Sequence, residues 1–193
     1  LNTLSRSYHA CKQMDKQATV DQKIFFLDRE DSSVSARLIP WFESISDLQN
    51  AIFHLKNHLK YKPKDLENWW KLAQYAKQSS MPGLCVHALD EVQKLASDQD
   101  SRFKDINILY GKAFLELNRP EKAAEYFQRH LGRDPHNAGL RFQLGKIYSE
   151  EGFHQKARVT FAQIIKSDPG NTTVLFEYAN ALYLEGKPQQ AYE

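Results

Sequence analysis

The chain has 193 residues, 41% of them hydrophobic, and its 26 basic and 24 acidic side chains give a formal net charge of +2 at pH 7. This apolar fraction permits a folded core and excludes a disordered or fibrous class. The balanced charge gives no argument for a nucleic-acid or membrane surface. The two cysteines, Cys11 and Cys85, imply neither a disulfide framework nor a metal site, and no apolar run of about 18 residues predicts a membrane span.

The first 64 residues show the least regular pattern. The short apolar segment KIFFLDRE, residues 23–30, fits either a helix or a strand of a separate element. Pro40 stands where a helix interior would be, so its surroundings are not predicted to form a regular repeat helix. We therefore predict an irregular, partly helical segment over 1–45 and a lone repeat-like helix over 46–64.

From residue 66 onward the chain repeats itself. The segments YGKAFLELNRPEKAAEYF, LGKIYSEEGFHQKARVTF and YANALYLEGKPQQAYE align without gaps at a period of 34 residues, and an earlier copy joins them at a spacing of 38. Each copy has apolar residues at i, i+3, i+4 and i+7 on both sides of a turn, which predicts two amphipathic helices. The predicted repeats are 66–103 with a four-residue insertion, 104–137, 138–171 and a truncated 172–193, after which the parent chain is expected to continue.

Helix boundaries are predicted at the same positions in successive repeats. Asp65, Asn137 and Asn171 share one phase and can each cap the start of a helix through a side-chain oxygen. Gly152 suits the end of a helix because glycine enters the left-handed region without a steric cost. The boundaries therefore support the two-helix period independently of the apolar pattern.

The order of residue types within the period resembles tetratricopeptide repeats, from about residue 48 to residue 193. The clearest copy is Leu144, Gly145, Tyr148, Ala157, Phe161 and Pro169. The resemblance implies an all-α, right-handed α-α superhelix of about three to four helix pairs, preceded by an irregular, mostly helical segment. Small residues such as Gly145 and Ala157 are expected where paired helices approach closely.

No set of residues in the sequence predicts catalysis or a bound cofactor. The glycines form no phosphate-binding loop, and neither a G-x-S-x-G nor an H-E-x-x-H motif occurs. His54 and His58 are spaced to face one metal ion, but a third ligand is lacking and a packing role is the favoured interpretation. The basic run HLKNHLKYKPK spreads its charges around a helix, which favours a solvated surface over RNA contact. We predict no enzyme activity, no metal, no cofactor and no nucleic-acid partner.

The resemblance also implies a concave groove lined by the first helix of each repeat. Carrying over the phase predicts three rows of groove residues: Trp70, Ile108, Phe142 and Phe176; then Gln74, Lys112, Lys146 and Asn180; then Lys77, Leu115, Ser149 and Tyr183. Apolar rings beside amide and ammonium donors suit a peptide or partner helix with bulky side chains and an acidic group or C-terminus. In the alternative interpretation, the phenylalanines belong partly to the core and the lysines are only solvated.

The sequence therefore predicts a non-enzymatic scaffold for protein–protein interactions. The alternative is an accessory repeat region of a larger enzyme, or of a bacterial envelope or cytochrome c assembly factor, that positions another domain. The segment HLKYKPKDLENWWKLAQ is similar to the start of the repeat region in periplasmic cytochrome c assembly proteins. Self-association through the uncapped last repeat is a further expectation. The localisation is left open between cytoplasm and periplasm.

Overall fold

The computed structural model describes residues 1–97 and 100–191, and over these residues the chain is all α-helical, with one short 3₁₀ turn and no strand. None of the described helices is long and apolar enough to cross a membrane. The helices are α1 (Asn2–Ala10), α2 (Met14–Leu27), α3 (Ser32–Ser44), α4 (Leu48–Tyr61), α5 (Leu66–Gln78), α6 (Pro82–Leu95), α7 (Ile106–Glu116), α8 (Pro120–Arg133), α9 (Ala138–Glu150), α10 (His154–Ile165), α11 (Thr172–Leu184) and α12 (Pro188–Ala191).

The chain divides into two compact units, an N-terminal unit, Leu1–Asp100, and a C-terminal unit, Ser101–Glu193. In the N-terminal unit α1 packs on α2, α3 on α4 and α5 on α6, and the second helix of one pair contacts the first helix of the next. The C-terminal unit repeats this arrangement with α7 on α8, α9 on α10 and α11 on α12. Each unit is therefore a series of helix pairs, which confirms the predicted all-α class.

The turn inside every helix pair has the same backbone geometry. A residue with positive φ ends each first helix, and the amide of the next residue donates to the carbonyl five positions back, which is the Schellman motif. The positive-φ residues are Lys12, Ser46, Ser80, Asn118, Gly152 and Gly186, separated by 34, 34, 38, 34 and 34 positions. The two-helix period therefore extends over the first 64 residues, where the sequence predicted an irregular segment and a lone helix.

The first two helix pairs, α1 with α2 and α3 with α4, were not predicted from the sequence, and two features explain why. Residues 23–27 continue α2, so this part of the KIFFLDRE segment is helical and not a strand. Pro40 lies within α3, which nevertheless buries Val34, Leu38 and Phe42. The packing of this apolar face compensates for the backbone hydrogen bond that a proline cannot make, because tertiary burial contributes most of the stability of a short helix. As a result α4 is paired with α3.

The predicted helix caps are confirmed. Asp65, Asn137 and Asn171 each precede a first helix, and each side chain accepts a hydrogen bond from the amide three residues later, at 3.2, 3.0 and 3.2 Å. Asp47 makes the same contact at the start of α4, with the amide of Asn50 at 3.1 Å. These oxygens satisfy amides that have no partner inside the helix. The exact boundaries of the repeats stay a prediction.

Two glycines lie at close helix contacts in the C-terminal unit. Gly111 in α7 and Gly145 in α9 lie 34 residues apart, and each faces a phenylalanine ring of the second helix of its pair. A Cβ atom added to Gly145 would lie 2.4 Å from Cε1 of Phe161, and one added to Gly111 would lie 2.1 Å from Cε1 of Phe127. Both rings are fully buried. The rings thus occupy space that only glycine leaves open.

A buried carboxylate organises the first three helices. Asp21 of α2 is fully buried, and its oxygens accept hydrogen bonds from Ser5 Oγ of α1 at 2.8 Å and from Gln17 Nε2 at 3.3 Å. Arg37 of α3 completes the group, with its terminal nitrogen 2.8 Å and its Nε 3.1 Å from Asp21 Oδ1. One carboxylate thus holds three helices together through charge-assisted hydrogen bonds.

Stability should fall on acidification because of His54. This imidazole of α4 is buried among Phe25, Phe42 and Phe53, and burial lowers its pKa from 6.5 to about 4. The lowered pKa means that the folded state favours neutral His54. Its contribution is complete above pH 6.5 and is lost as the pH falls from 6.5 toward 4, by about 1.4 kcal/mol per pH unit.

Urea titrations at several pH values between 7 and 4 would test this dependence against a His54→Phe variant, which keeps a ring but cannot titrate. We expect the unfolding free energy of the variant to fall less steeply over this range. If the free energy of unfolding of the two proteins fell equally with pH, the explanation would be wrong. It would mean that folding does not lower the pKa of His54.

Candidate peptide-binding groove

The predicted groove residues fall on the first helices of four successive pairs. Trp70, Gln74 and Lys77 lie on α5 of the N-terminal unit, where all three are half-buried. The other nine lie on α7, α9 and α11 of the C-terminal unit: Ile108, Lys112, Leu115, Phe142, Lys146, Ser149, Phe176, Asn180 and Tyr183. Nine of the twelve predicted groove residues therefore belong to the C-terminal unit.

The most exposed part of this surface is one side of α11. Phe176 is 70% exposed and Tyr183 is 62% exposed. Asn180 lies between them and is also exposed. The spacing of four and then three residues places all three on one face of the helix, here called the aromatic face.

Phe142 connects this surface with the core. It is half-buried, and its ring centroid lies 5.8 Å from that of Phe161. It also lines an open cavity of about 330 Å³ between the starts of α9 and α11, together with Ala138, Gly139, Ile164, Asn171, Thr173 and Val174. Phe142 therefore fits both interpretations of the sequence, since one part of it packs inward and another borders an apolar depression.

The three predicted rows of groove residues did not include the small residues that line this depression. Gly139 and Thr173 lie three residues before Phe142 and Phe176, one turn nearer the start of the same helices. Extending the predicted rows by one helical turn would have identified them, because residues three apart share a helix face. Small side chains at these positions leave the depression open.

The predicted row of donors is only partly available. Lys146 of α9 lies 3.0 Å from Glu177 Oε1 of α11, a carboxylate whose side chain is mostly buried, and 4.0 Å from Glu150. This ion pair connects two neighbouring first helices and neutralises the ammonium. Lys112 of α7 and Asn180 remain exposed. The part of the row that faces solvent is therefore Lys112 and Asn180.

The two histidines considered as metal ligands do not converge. His54 Nδ1 lies 3.2 Å from Ser35 Oγ, whereas His58 Nε2 lies 2.8 Å from Asp65 Oδ2. Throughout the described ranges, no group of three His, Cys, Asp or Glu side chains is placed to hold a metal ion. His58 instead contacts the carboxylate that caps α5, so its role is structural.

Part of the sequence matches known protein families. Two models described as "Tetratricopeptide repeat" match residues 86–138 and 114–168. No curated protein matches the chain significantly in sequence.

Solved structures provide the second comparison. The MamA protein is 20% identical, with a TM-score of 0.67, covering 83% of this chain and 86% of its own. YrrB, titled a TPR protein with an unusual peptide-binding site, is 17% identical, with a TM-score of 0.65, covering 90% and 88%. The Pseudomonas aeruginosa protein pilF is 14% identical, with a TM-score of 0.56, covering 98% and 85%. With the recurring helix pairs, these matches show that the chain shares the fold of these proteins and carries tetratricopeptide repeats over residues 86–168.

Proposed function

We propose that this chain is a non-enzymatic scaffold that binds a peptide or a partner helix on the first helices of its C-terminal unit. The fold supports an interaction scaffold in general, because stacked helix pairs present extended surfaces. The observation that carries the specific proposal is the aromatic face of α11 beside the depression at Phe142. Neighbouring exposed aromatic side chains are typical of interaction sites, whereas single exposed apolar residues are common on any surface.

The chemistry of the surface suggests what the ligand presents. Phe176 and Tyr183 offer ring faces and edges to bulky apolar side chains, and the depression at Phe142 can receive one of them. Asn180 can bond a peptide backbone from between the two rings, as a donor and an acceptor. Lys112 is the exposed cation for an acidic group, whereas Lys146 already pairs with Glu177. We propose that apolar contacts dominate binding and that Lys112 sets a secondary preference for acid.

A protein with a peptide-binding site is among the structures that share this fold. YrrB, whose fold this chain shares, is titled as a protein with a peptide-binding site. That similarity shows only a shared fold. The ligand class proposed for this chain therefore rests on its own exposed aromatic rings. Positioning of another domain within a larger enzyme or assembly factor stays the alternative prediction, as does self-association through the last repeat.

Peptides selected from a random phage-displayed library on the whole chain would provide the probe for this function. Calorimetry would then compare their affinity for the wild type, for Phe176→Ser and for Phe26→Ser. Phe26 is the matched control because it is a phenylalanine of the N-terminal unit with 74% exposure. We expect Phe176→Ser to weaken binding by about tenfold or more and Phe26→Ser to leave it unchanged.

Two results would contradict the proposed function. The first is that no peptide is enriched above a selection without the protein. The second is that both serine variants bind the selected peptides as the wild type does. Lys112→Ala addresses the secondary preference separately, because it should weaken acidic peptides more than neutral ones.

A further inference from the structure

A second depression of about 220 Å³ lies on the C-terminal unit, where α8 borders α9 and the start of α10. It is lined by Glu121, Ala124, Glu125, Gln128, Ile147, Tyr148, Glu151, Phe153 and Lys156, and is here called the furrow. None of these residues belongs to the predicted groove. Its origin becomes clear when equivalent positions of neighbouring repeats are compared.

One repeat later, an arginine fills the equivalent place. Arg158 of α10 donates from Nε to Glu185 Oε2 at 2.6 Å. The residue 34 positions before Arg158 is Ala124, and the residue 34 positions before Glu185 is Glu151. The furrow therefore keeps the acceptor of this arginine–glutamate pair but has a methyl group where the arginine would be. Ala124 also lines the empty space that results.

The furrow is acidic, although the repeat does not require it to be. Within the described part of the chain, the side-chain carboxylates of Glu121, Glu125 and Glu151 have no ion-pair or hydrogen-bond partner. The counterparts of Glu121 and Glu125 one repeat later are Gln155 and Val159, so the fold accepts neutral side chains there. Like charges on one surface repel each other, and an external cation would relieve that repulsion.

Two cations of α8 are directed away from the furrow. The ammonium of Lys122 lies over the ring of Phe114 at 5.4 Å, and the guanidinium of Arg129 lies over the ring of Tyr126 at 4.8 Å. Neither side chain lines the furrow. The cation that does line the furrow is Lys156 of α10, so three carboxylates face one ammonium and the lining keeps a net negative charge.

The furrow also has an aromatic wall on which a cation already rests. The ammonium of Lys156 lies 4.9 Å from the ring centroid of Phe153 and 5.6 Å from that of Tyr148. The hydroxyl of Tyr148 accepts a hydrogen bond from the side-chain amide of Gln128. Phe153 is 48% exposed. Phe153 is peculiar to this repeat, because its counterparts are Arg119 and Lys187. These ring faces suit a positively charged group.

We propose that the furrow binds an arginine side chain presented by a partner protein. The guanidinium would stack against Phe153 and donate to Glu151, which supplies from outside the contact that Arg158 makes with Glu185 within the chain. Arginine suits this place better than lysine, because its planar group stacks on rings and forms two parallel hydrogen bonds with a carboxylate. This site is separate from the proposed groove and would contact a different part of a partner.

The probe for this site is the peptide acetyl-Gly-Arg-Gly-amide, with the citrulline peptide of the same shape but without charge as its control. Backbone amide resonances of the whole chain would be followed by NMR during titration to about 10 mM, since a single anchor is expected to bind on the order of 1 mM. We expect the arginine peptide to shift the amides of Glu151 and Phe153. The citrulline peptide should leave them in place.

Variants make the test specific. Glu151→Gln should weaken binding by about fivefold or more, whereas Glu150→Gln, the same change one residue earlier, should not. Ala124→Arg should abolish binding by supplying the arginine within the chain, and Phe153→Leu should weaken it by removing the ring without removing the apolar bulk. The last substitution and Glu151→Gln change exposed side chains, so they remain informative if the arginine variant fails to fold.

Three outcomes would overturn the proposal. They are equal shifts with the citrulline peptide, unchanged amides at Glu151 and Phe153 up to the highest concentration, and equal weakening by the two glutamine variants. Each is distinguishable from a failure of the groove, because the groove test uses other peptides and the substitution at Phe176.

Discussion

Gly145→Ala is expected to lower the free energy of unfolding by about 1–3 kcal/mol, although alanine normally stabilises a helix relative to glycine. The added Cβ would lie 2.4 to 2.9 Å from three ring atoms of Phe161, a fully buried side chain that has no free space to move into. Either the ring leaves its rotamer or α9 separates from α10, and both cost packing energy. Urea unfolding at 25 °C of the variant and the wild type measures the difference.

Gly132→Ala in α8 is the matched control. An added Cβ at Gly132 would meet no atom within 4 Å, so only the backbone effect remains. We expect this variant to be as stable as the wild type or more stable by up to about 1 kcal/mol. If both alanine variants changed stability in the same direction, the explanation of Gly145 as a close-contact position would be wrong.

Asp21→Ala is expected to destabilise the N-terminal unit by about 3 kcal/mol, within the range observed when one member of a buried ion pair is removed. The substitution leaves Ser5 and Gln17 with unsatisfied polar groups and Arg37 without its carboxylate. Arg37 keeps partial access to water, which limits the loss. Urea unfolding followed by far-ultraviolet circular dichroism would measure it.

Two controls separate the buried network from a general effect of losing a negative charge. Asp28→Ala removes an exposed carboxylate just after α2 and should change stability by less than about 0.5 kcal/mol. The double variant Asp21→Leu/Arg37→Leu should be less destabilised than the sum of the two single leucine variants, because no charge is then left unpaired. Additive effects of the two substitutions would show that Asp21 and Arg37 act independently.

The helix pairs of the C-terminal unit leave a clear sequence pattern because each structural demand there has a distinctive residue. Close helix contacts require Gly111 and Gly145, and the turn that ends α9 uses Gly152. The same turn in the N-terminal pairs uses Lys12 and Ser46, which also have positive φ. Lysine and serine are not residue types from which a positive φ would be predicted. The geometry recurs there although the residue types do not, so a search for residue types could not find it.

The candidate site was predictable only as a set of positions. Helical phase placed Phe176, Asn180 and Tyr183 on one face, and the structure shows all three to be exposed. The pairing of Lys146 with Glu177 depends on how α9 and α11 lie side by side, a relation between residues 31 positions apart that the period does not encode. The furrow likewise appears only in the structure, because the sequence does not show that Arg158 pairs with Glu185 or that Ala124 leaves a depression. Side-chain pairing between repeats therefore had to be observed.

Peptide binding by the first helices of the C-terminal unit remains a proposal until the contact surface is mapped. Amide chemical shifts of the whole chain, recorded with and without a peptide selected from the library, test it most directly. We expect the shifted residues to cluster on α9 and α11 around Phe142, Phe176 and Asn180, with Lys112 on α7 at the border. Shifts confined to the second helices, α8 and α10, would contradict it.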